Sequence, residues 1–229
     1  MNNFHLKLTA CICMLIDHIG FVLFPQYLFL RVIGRIAFPI FAYLITEGYM
    51  HTHSIKKYSI RLLIFALISQ VPYMLTFRGT QLNIFFTLFI GLMALYATDY
   101  EFSENQLLNK ILKVIVVSAI VISSYIFCAE YGIYGVLTIL AFKLFKNNFT
   151  KLIIVQIIIN IVHIAPFYKY IFINGNLNLR LFLQCASLLS LIFIKKYNGE
   201  KGKSFKYAFY AFYPVHILLL YIISNFLLI

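Results

Sequence analysis

The chain alternates between long apolar runs and short polar connections, and this pattern predicts a bundle of membrane-spanning helices. A helix needs about 20 mostly apolar residues to cross a bilayer. The sixth of the runs is short, which predicts a helix that is tilted, re-entrant or buried by its neighbours. The fold prediction is therefore an all-α, polytopic transmembrane bundle with eight or nine spans. The nine apolar runs are 6–24, 28–46, 59–77, 82–98, 111–128, 132–146, 151–172, 179–194 and 207–228.

The composition agrees with this pattern and leaves no segment for a separate soluble domain. Of the 229 residues, 62% are hydrophobic and only 11% are charged. A soluble domain has about 25% charged residues, so an ordinary globular protein is excluded. We treat residues 1–229 as a single integral membrane domain.

The basic residues predict the orientation of the bundle and argue against a nucleic-acid partner. The net charge is +12, but the 24 Phe and 17 Tyr lie mainly inside the apolar runs. Nucleic-acid binding needs basic groups on one exposed surface, with aromatic rings that stack on bases. If the N-terminus is cytoplasmic, fourteen of the 19 Lys and Arg residues fall on the cytoplasmic side, as the positive-inside rule requires. We predict a cytoplasmic N-terminus, a lipid bilayer environment and no nucleic acid.

Ionisable residues inside the runs are the candidate functional groups, because each costs at least ~2.5–3.5 kcal/mol in mid-membrane on insertion scales. Asp17 and His18 are adjacent in the first run, and neighbouring helical positions point about 100° apart. Each therefore needs a partner on another helix. Arg35 needs an anion, and Pro39, four residues later in the same run, would free the Arg35 carbonyl. A structural bond between helices is the alternative for Asp17 and His18. For Pro39 the alternative is that proline is simply common in membrane helices.

Further polar residues lie between the end of the second run and the start of the fourth. Glu47 can pair with His51, four residues later, if the helix continues. A cytoplasmic basic cluster lies just before and at the start of the third run, and ordinary positive-inside charge is the alternative for it. Two uncharged residues, Gln70 and Asn83, have helix–helix bonding as their alternative. The basic residues are Lys56, Lys57 and Arg61.

The last run adds His216, with Tyr213 on the same helical face three residues earlier. A lone buried histidine is usually a satisfied core residue. Together with Asp17, His18 and Arg35, however, His216 predicts one polar centre inside the bundle. No group of His, Cys or acidic residues has the spacing of a metal site, so no metal is predicted.

Several short motifs of this chain resemble the TraX family. The resemblance is dense over residues 8–95, is weak after that and returns in the last run. The namesake of the family is the conjugative pilin acetylase, a polytopic inner-membrane protein that acetylates the α-amine of a mature pilin. Its members are similar in plan to transmembrane acyltransferases that use acyl-CoA from the cytoplasm. The motifs are Asp17-His18-Ile19-Gly20, Arg35 to Ala42, Glu47-Gly48 with His51-Thr52, Arg61, Gln70-Val71-Pro72-Tyr73, Leu82-Asn83 with Phe86-Thr87-Leu88, and Tyr213-Pro214 with His216.

This resemblance implies a membrane acetyltransferase of the bacterial inner membrane. It implies acetyl-CoA as co-substrate and a pilin or other peptide with a free N-terminal amine as acceptor. One alternative is O-acetylation of a sugar or lipid. Another is a proton-coupled transporter of a small solute, which also buries Asp, His and Arg. Such transporters usually contain an internal repeat, and no repeat is visible in this sequence.

The expected roles follow from the chemistry of acetyl transfer, which needs a general base and stabilisation of a tetrahedral oxyanion. His18 or His216 would take the acceptor proton, and Asp17 would orient a histidine across the helix interface. Arg35, with Tyr213, would polarise the thioester carbonyl. The predicted binding residues are Arg61, Lys56 and Lys57 for the phosphates of acetyl-CoA, and Glu47, Gln70 and Asn83 for the acceptor.

Overall fold

Helices make up the regular structure of the part of the chain described here. A computed structural model describes residues 1–167, 179–203 and 205–227, and it contains no strand within them. A single β-bridge joins Leu82 to Ala129. The helix list is completed by 3₁₀ segments at Ala165–Phe167 and Leu179–Leu189 and a π-helix at Ile223–Leu227. The α-helices are α1 (Asn3–Val22), α2 (Leu28–Gly34), α3 (Ala37–His51), α4 (Ile55–Phe77), α5 (Ile84–Asp99), α6 (Gln106–Ile126), α7 (Gly132–Leu144), α8 (Phe149–Ile164), α9 (Ser190–Lys195) and α10 (Lys206–Ile222).

Polar side chains at the ends of the connections set where several helices begin. Asn2 accepts a hydrogen bond from the backbone N–H of His5 at 3.0 Å and opens α1. Such a cap satisfies one of the first-turn N–H groups, which have no partner inside the helix. The same type of cap opens α4 at Ser54, α5 at Asn83, α6 at Asn105 and α8 at Asn148.

Five helical segments of the described chain are long and apolar enough to cross a membrane. Four apolar helices are shorter, and α5, with 16 residues, is about 24 Å long against a hydrocarbon core of about 30 Å. The all-helical fold is confirmed for the described residues, with five helical segments that could cross a membrane, whereas the number of spans and the cytoplasmic N-terminus stay predictions. The five segments are Asn3–Val22, Leu28–His51, Ile55–Phe77, Gln106–Ile126 and Tyr207–Phe226.

The second predicted run is not one continuous helix. α2 ends at Gly34 and α3 begins at Ala37, with Arg35 at the junction. Pro39 is the third residue of α3, where a backbone N–H has no intrahelical acceptor and proline is tolerated. Pro39, which has no N–H to donate to the Arg35 carbonyl, therefore lies inside the first turn of α3 rather than at the break. The break lies before the proline and places Arg35 where two helices meet.

The short sixth run forms α7, which lies at the centre of the bundle. α7 packs against α3, α5, α6 and α8, and its side chains Val136, Ile139 and Phe142 are fully buried. The sixth run is predicted to be tilted, re-entrant or buried by its neighbours, and the structure shows that its neighbours bury it. The helix α6 instead exposes most of its apolar side chains, as expected of a surface that faces lipid.

Two predicted runs extend past the described residues. The seventh run, 151–172, forms α8 and the 3₁₀ turn that ends at Phe167, and 168–172 lie outside the described residues. The final residue of the ninth run, 228, also lies outside them.

The two ends of the bundle carry different connections. At one end the N-terminal ammonium of Met1 donates to the Lys196 carbonyl at 2.8 Å, and Tyr49, at the end of α3, donates to Asp99, at the end of α5. We call this end the N-terminal face. The other end, the opposite face, carries the connections 23–27, 78–83 and 127–131, two of which meet in the β-bridge.

Candidate active site

Asp17, on the half of α1 nearer the opposite face, binds two arginines. Arg31 Nη1 donates to Asp17 Oδ2 at 2.7 Å and to the Asp17 carbonyl at 3.2 Å. Arg35 Nη2 donates to both carboxylate oxygens, at 2.7 and 3.0 Å. We call Asp17, Arg31 and Arg35 the arginine clamp. Two guanidinium groups around one carboxylate leave a net positive charge, so a further anion is expected close by.

A glycine on α2 makes the arginine clamp sterically possible. A Cβ atom at Gly34 would lie 2.0 Å from Asp17 Oδ1 and 2.2 Å from Asp17 Cβ. These separations are far inside van der Waals contact, so no side chain larger than hydrogen fits at this approach of α2 to α1. The residue type at position 34 therefore sets the distance between the two helices that carry the clamp.

The arginine clamp corrects the predicted partner of Asp17. We expected Asp17 to orient a histidine, but its carboxylate is bonded to Arg31 and Arg35. The physical reason is that Asp17 points towards α2, whereas His18, one position later, points towards α10. The two residues therefore belong to different contacts of the same helix.

His18 and His216 form a hydrogen bond that joins α1 to α10. His18 Nδ1 and His216 Nε2 are 2.7 Å apart, and the two rings lie within 9° of parallel. His216 Nδ1 is 2.6 Å from the carbonyl oxygen of Phe212. A carbonyl can only accept, so His216 Nδ1 carries a proton and His216 Nε2 accepts the proton of His18 Nδ1. In this neutral pair His18 Nε2 keeps its lone pair and is the available base.

A small cavity lies beside these residues. Its volume is about 20 Å³, room for one water-sized group. Its polar lining consists of Asp17, His18, Glu130, Tyr131 and Tyr213. Glu130 Oε2 and the Tyr213 hydroxyl have no hydrogen-bond partner among the described residues. The cavity therefore offers an acceptor, a donor and a histidine pair to one small group.

The structure brings most of the predicted catalytic residues together. His18, Asp17 and Tyr213 line the cavity, and His216 reaches it through His18. Arg35 lies behind Asp17 and is not part of the lining. Contrary to expectation, Arg35 therefore does not contact a carbonyl group in the cavity directly. It contributes positive charge to the site through the arginine clamp.

Glu130 is a cavity residue that the sequence analysis missed. It lies in the connection 127–131, where a carboxylate is ordinarily solvated. The Leu82 N–H donates to the Cys128 carbonyl at 3.0 Å, and the Glu130 N–H donates to the Leu82 carbonyl at 2.9 Å. Cys128 has a left-handed backbone, with φ of 50°, which turns the connection inward. The one signal in the sequence is an acidic residue just before an apolar run.

Glu130 is an acidic cavity residue whose charge interacts with the arginine clamp. Burial raises the pKa of Glu130 to about 7, while the charges of Arg35 and Arg31 act in the opposite direction. A carboxyl group that titrates near neutral pH beside a cavity is a typical functional-site feature.

Comparison with known proteins places the chain in a family. The family model described as TraX protein matches residues 3–224. The chain belongs to the TraX family. It is 29% identical over 238 residues to the probable fimbrial assembly protein FimC, serogroup H1, of Dichelobacter nodosus, an alignment that covers 96% of this chain and 94% of that protein. It is 35% identical over 92 residues to the uncharacterized protein RP591 of Rickettsia prowazekii (strain Madrid E), covering 40% of this chain and 35% of that protein. No solved structure matches the chain.

In this TraX family member, Gln70 and Asn83 connect helices and do not line the cavity. Asn83 Nδ2 donates to Gln70 Oε1 at 2.8 Å and to the Ala66 carbonyl at 2.7 Å, while Asn83 Oδ1 caps α5. Gln70 Nε2 donates to the Gln81 carbonyl at 2.9 Å. These contacts agree with the alternative that Gln70 and Asn83 bond helices together. The expectation that they bind the acceptor is wrong for this arrangement.

Glu47 is buried in the half of the TraX bundle nearer the N-terminal face, away from the cavity. Its carboxyl group hydrogen-bonds the hydroxyl of Tyr43. His51 Nδ1 lies 2.9 Å from the backbone carbonyl of Glu47, so the predicted Glu47–His51 pairing involves the main chain rather than the carboxylate. An acceptor in the cavity would not contact Glu47.

Lys56 and Lys57 are exposed at the start of α4 on the N-terminal face. Phe77, at the other end of α4, contacts the His18 ring with a centroid distance of 5.1 Å. The 20 residues from Lys57 to Phe77 correspond to about 30 Å of helix. The two lysines are therefore remote from the cavity, and their surroundings are those of ordinary positive-inside charge.

Arg61 is placed differently from the lysines. Its guanidinium lies 5.5 Å from the ring centroid of Tyr58 and hydrogen-bonds the hydroxyl of Tyr210. Tyr210 precedes His216 on α10 by six residues, or about 9 Å of helix. Arg61 Nε is buried without a partner among the described residues. Arg61 is thus the cation of the predicted phosphate-binding group that lies closest to the cavity.

Proposed function

We propose that this TraX family member is an acetyltransferase of the bacterial inner membrane that uses acetyl-CoA. The observation that carries the proposal is the His18–His216 pair, whose free Nε2 belongs to a residue that lines the same cavity as the Tyr213 hydroxyl. A base and a hydrogen-bond donor around a space for one small group are the two requirements of acetyl transfer.

The transfer proceeds without a covalent enzyme intermediate. His18 Nε2 takes a proton from the acceptor amine, whose nitrogen bonds to the acetyl carbon. The Tyr213 hydroxyl donates to the oxygen that becomes negatively charged, and the net positive charge of the arginine clamp stabilises the same oxygen. The carbon–sulfur bond then breaks, and the thiolate of coenzyme A receives the proton from His18. His216 holds His18 in the tautomer that this sequence requires.

The two substrates enter from different faces of the bundle. We place the N-terminal face in the cytoplasm, because fourteen of the 19 Lys and Arg residues then lie on that side. Acetyl-CoA binds there with Arg61 at its phosphates, and the thioester follows the side of α10 that carries Tyr210 and Tyr213. The lysines Lys56 and Lys57 raise the local concentration of the anionic donor.

The acceptor is the N-terminal amine of a pilin or another peptide. The name of the Dichelobacter nodosus relative, a probable fimbrial assembly protein, supports an acceptor among fimbrial or pilus components. O-acetylation of a sugar or a lipid needs the same base and the same oxyanion donor, so the acceptor must be tested directly.

The first experiment measures free thiol release from acetyl-CoA by the purified protein in nanodiscs. A peptide with a free N-terminus is the acceptor, and the same peptide with an acetylated N-terminus is its matched control. We expect thiol release that depends on the free amine. Thiol release with a sugar or a lipid, but with neither peptide, would show that the acceptor is a sugar or a lipid and not an N-terminal amine. Absence of both binding and turnover of acetyl-CoA would refute the enzyme and leave the proton-coupled transporter to be tested.

The proposed orientation predicts labelling of a native cysteine from outside the cell membrane. Cys128 is exposed on the opposite face, whereas Cys11 and Cys13 are buried. In right-side-out membrane vesicles, a membrane-impermeant maleimide should label the protein at Cys128. Because Cys185 is only half-buried, Cys128→Ser is made in a Cys185→Ser background, where it should abolish the labelling. Labelling confined to inside-out vesicles would reverse the orientation.

A further inference from the structure

The orientation of Glu130 is fixed by the backbone around it. The Glu130 N–H is bonded to the Leu82 carbonyl, the Ala129 N–H to the Ser124 carbonyl, and the Gly132 N–H to the Ala129 carbonyl, at 2.8–3.0 Å. A connection with its N–H groups satisfied in this way does not reorient freely. The backbone therefore holds the carboxyl group of Glu130 at the cavity.

One carboxyl oxygen of Glu130 lacks a hydrogen-bond partner among the described residues, although the backbone N–H of Ile84 also acts on the carboxyl group. Glu130 Oε2 is buried and has no hydrogen bond to any described residue, although the arginine clamp is close enough to affect its charge. An unsatisfied buried acceptor is unfavourable, and such an atom in a native structure calls for an explanation, such as a catalytic role or a bound polar group. The missing partner must be a hydrogen-bond donor.

We propose that Glu130 binds the reacting N–H or O–H group of the acceptor and presents it to His18. The inference rests on the proposed acetyl transfer and adds the residue that recognises the acceptor. The cavity of about 20 Å³ holds only the end of the acceptor, one amine or hydroxyl group. The connection that carries Glu130 lies on the opposite face, so the acceptor arrives from that side.

The division of labour between the cavity residues is then simple. Glu130 accepts a hydrogen bond from the acceptor and keeps that nucleophile in place, while His18 Nε2 removes its proton. Tyr213 donates to the oxygen of the acetyl group. The acetyl donor makes no contact with Glu130, which distinguishes this residue from the arginine and lysines on the donor side.

The test is a comparison of Michaelis constants for Glu130→Gln and the wild-type protein. Gln can still accept a hydrogen bond but has lost the negative charge of Glu130. The weaker bond should raise the KM for the acceptor by about 10-fold, and the KM for acetyl-CoA should stay within about twofold. The KM of Glu130→Asp for the acceptor should lie between those of the wild-type protein and Glu130→Gln. Glu101→Gln is the matched control, because Glu101 pairs with Lys113 on the N-terminal face with 69% of its side chain exposed. It should change neither constant.

The acceptors are a peptide with an N-terminal amine and its analogue with a hydroxyl in place of that amine. An increased KM for either acceptor supports the inference, and the affected one identifies the nucleophile. Unchanged acceptor constants in Glu130→Gln overturn it. So does equal weakening of acetyl-CoA binding and acceptor binding, since that indicates a structural role. An inactive wild-type protein refutes the proposed function and this inference together, whereas an active wild type with an unaffected Glu130→Gln refutes this inference alone.

Discussion

Replacement of His18 by Gln is expected to lower kcat for acetyl transfer by about 10²- to 10⁴-fold, the usual contribution of a general base. His18 carries the free ring nitrogen of the pair, because the Phe212 carbonyl and His18 itself occupy both nitrogens of His216. The measurement is acceptor-dependent thiol release together with the mass of the acetylated peptide. The KM for acetyl-CoA should change little, since His18 lies remote from the N-terminal face.

Variants of His216 separate the base from the residue that orients it. His216→Gln keeps an oxygen that can accept from His18 Nδ1–H, so it should retain more activity than His216→Leu, which removes the acceptor. Both His216 variants should lose less activity than His18→Gln. The exposed His5 provides the matched control, and His5→Gln should leave the rate unchanged. An inactive His216→Gln together with a fully active His18→Gln would reverse the two roles.

The sequence locates the polar centre because an ionisable side chain in an apolar run always requires a partner. Asp17, His18, Tyr213 and His216 could be selected on that ground, and the structure brings them around one cavity. Their pairing was not predictable, because it depends on how closely two helices approach. Because Gly34 has no side chain, α2 can pack close to Asp17. The sequence around Asp17 does not show whether its partner is an arginine on α2 or a histidine on another helix.

Glu130 shows where reasoning from apolar runs fails. A charged residue between two runs is assigned to solvent, and only long-range contacts change that assignment. The bridge between Leu82 and Ala129, with the left-handed Cys128, folds the connection into the bundle. These contacts join residues almost fifty positions apart, so no local pattern contains them. Gln70 and Asn83 illustrate the reverse case, in which polar residues within a motif serve helix contacts.

The second large effect is expected at Asp17, where Asp17→Asn should destabilise the bundle by about 3–5 kcal/mol, the usual cost of leaving buried charges without their partner. Both arginines lose their carboxylate in this variant, whereas Arg31→Gln leaves the Asp17–Arg35 pair intact. We therefore expect a markedly lower Tm for Asp17→Asn than for Arg31→Gln. Thermal unfolding can be followed with a thiol-reactive fluorophore in a Cys128→Ser background, because Cys128 is exposed whereas Cys11 and Cys13 are buried in the same helix as Asp17.

A compensated variant shows whether the loss at Asp17 comes from uncompensated charge. Replacing a buried ion group by apolar residues of similar size is often neutral or stabilising. The triple variant Asp17→Leu, Arg31→Met and Arg35→Met should therefore unfold at a higher temperature than Asp17→Asn, although it lacks every bond of the arginine clamp. An equal Tm for the two would mean that the clamp stabilises the bundle through its specific hydrogen bonds. A wild-type Tm for Asp17→Asn would show that the clamp does not hold α1 and α2 together, and its charge would then matter for catalysis alone.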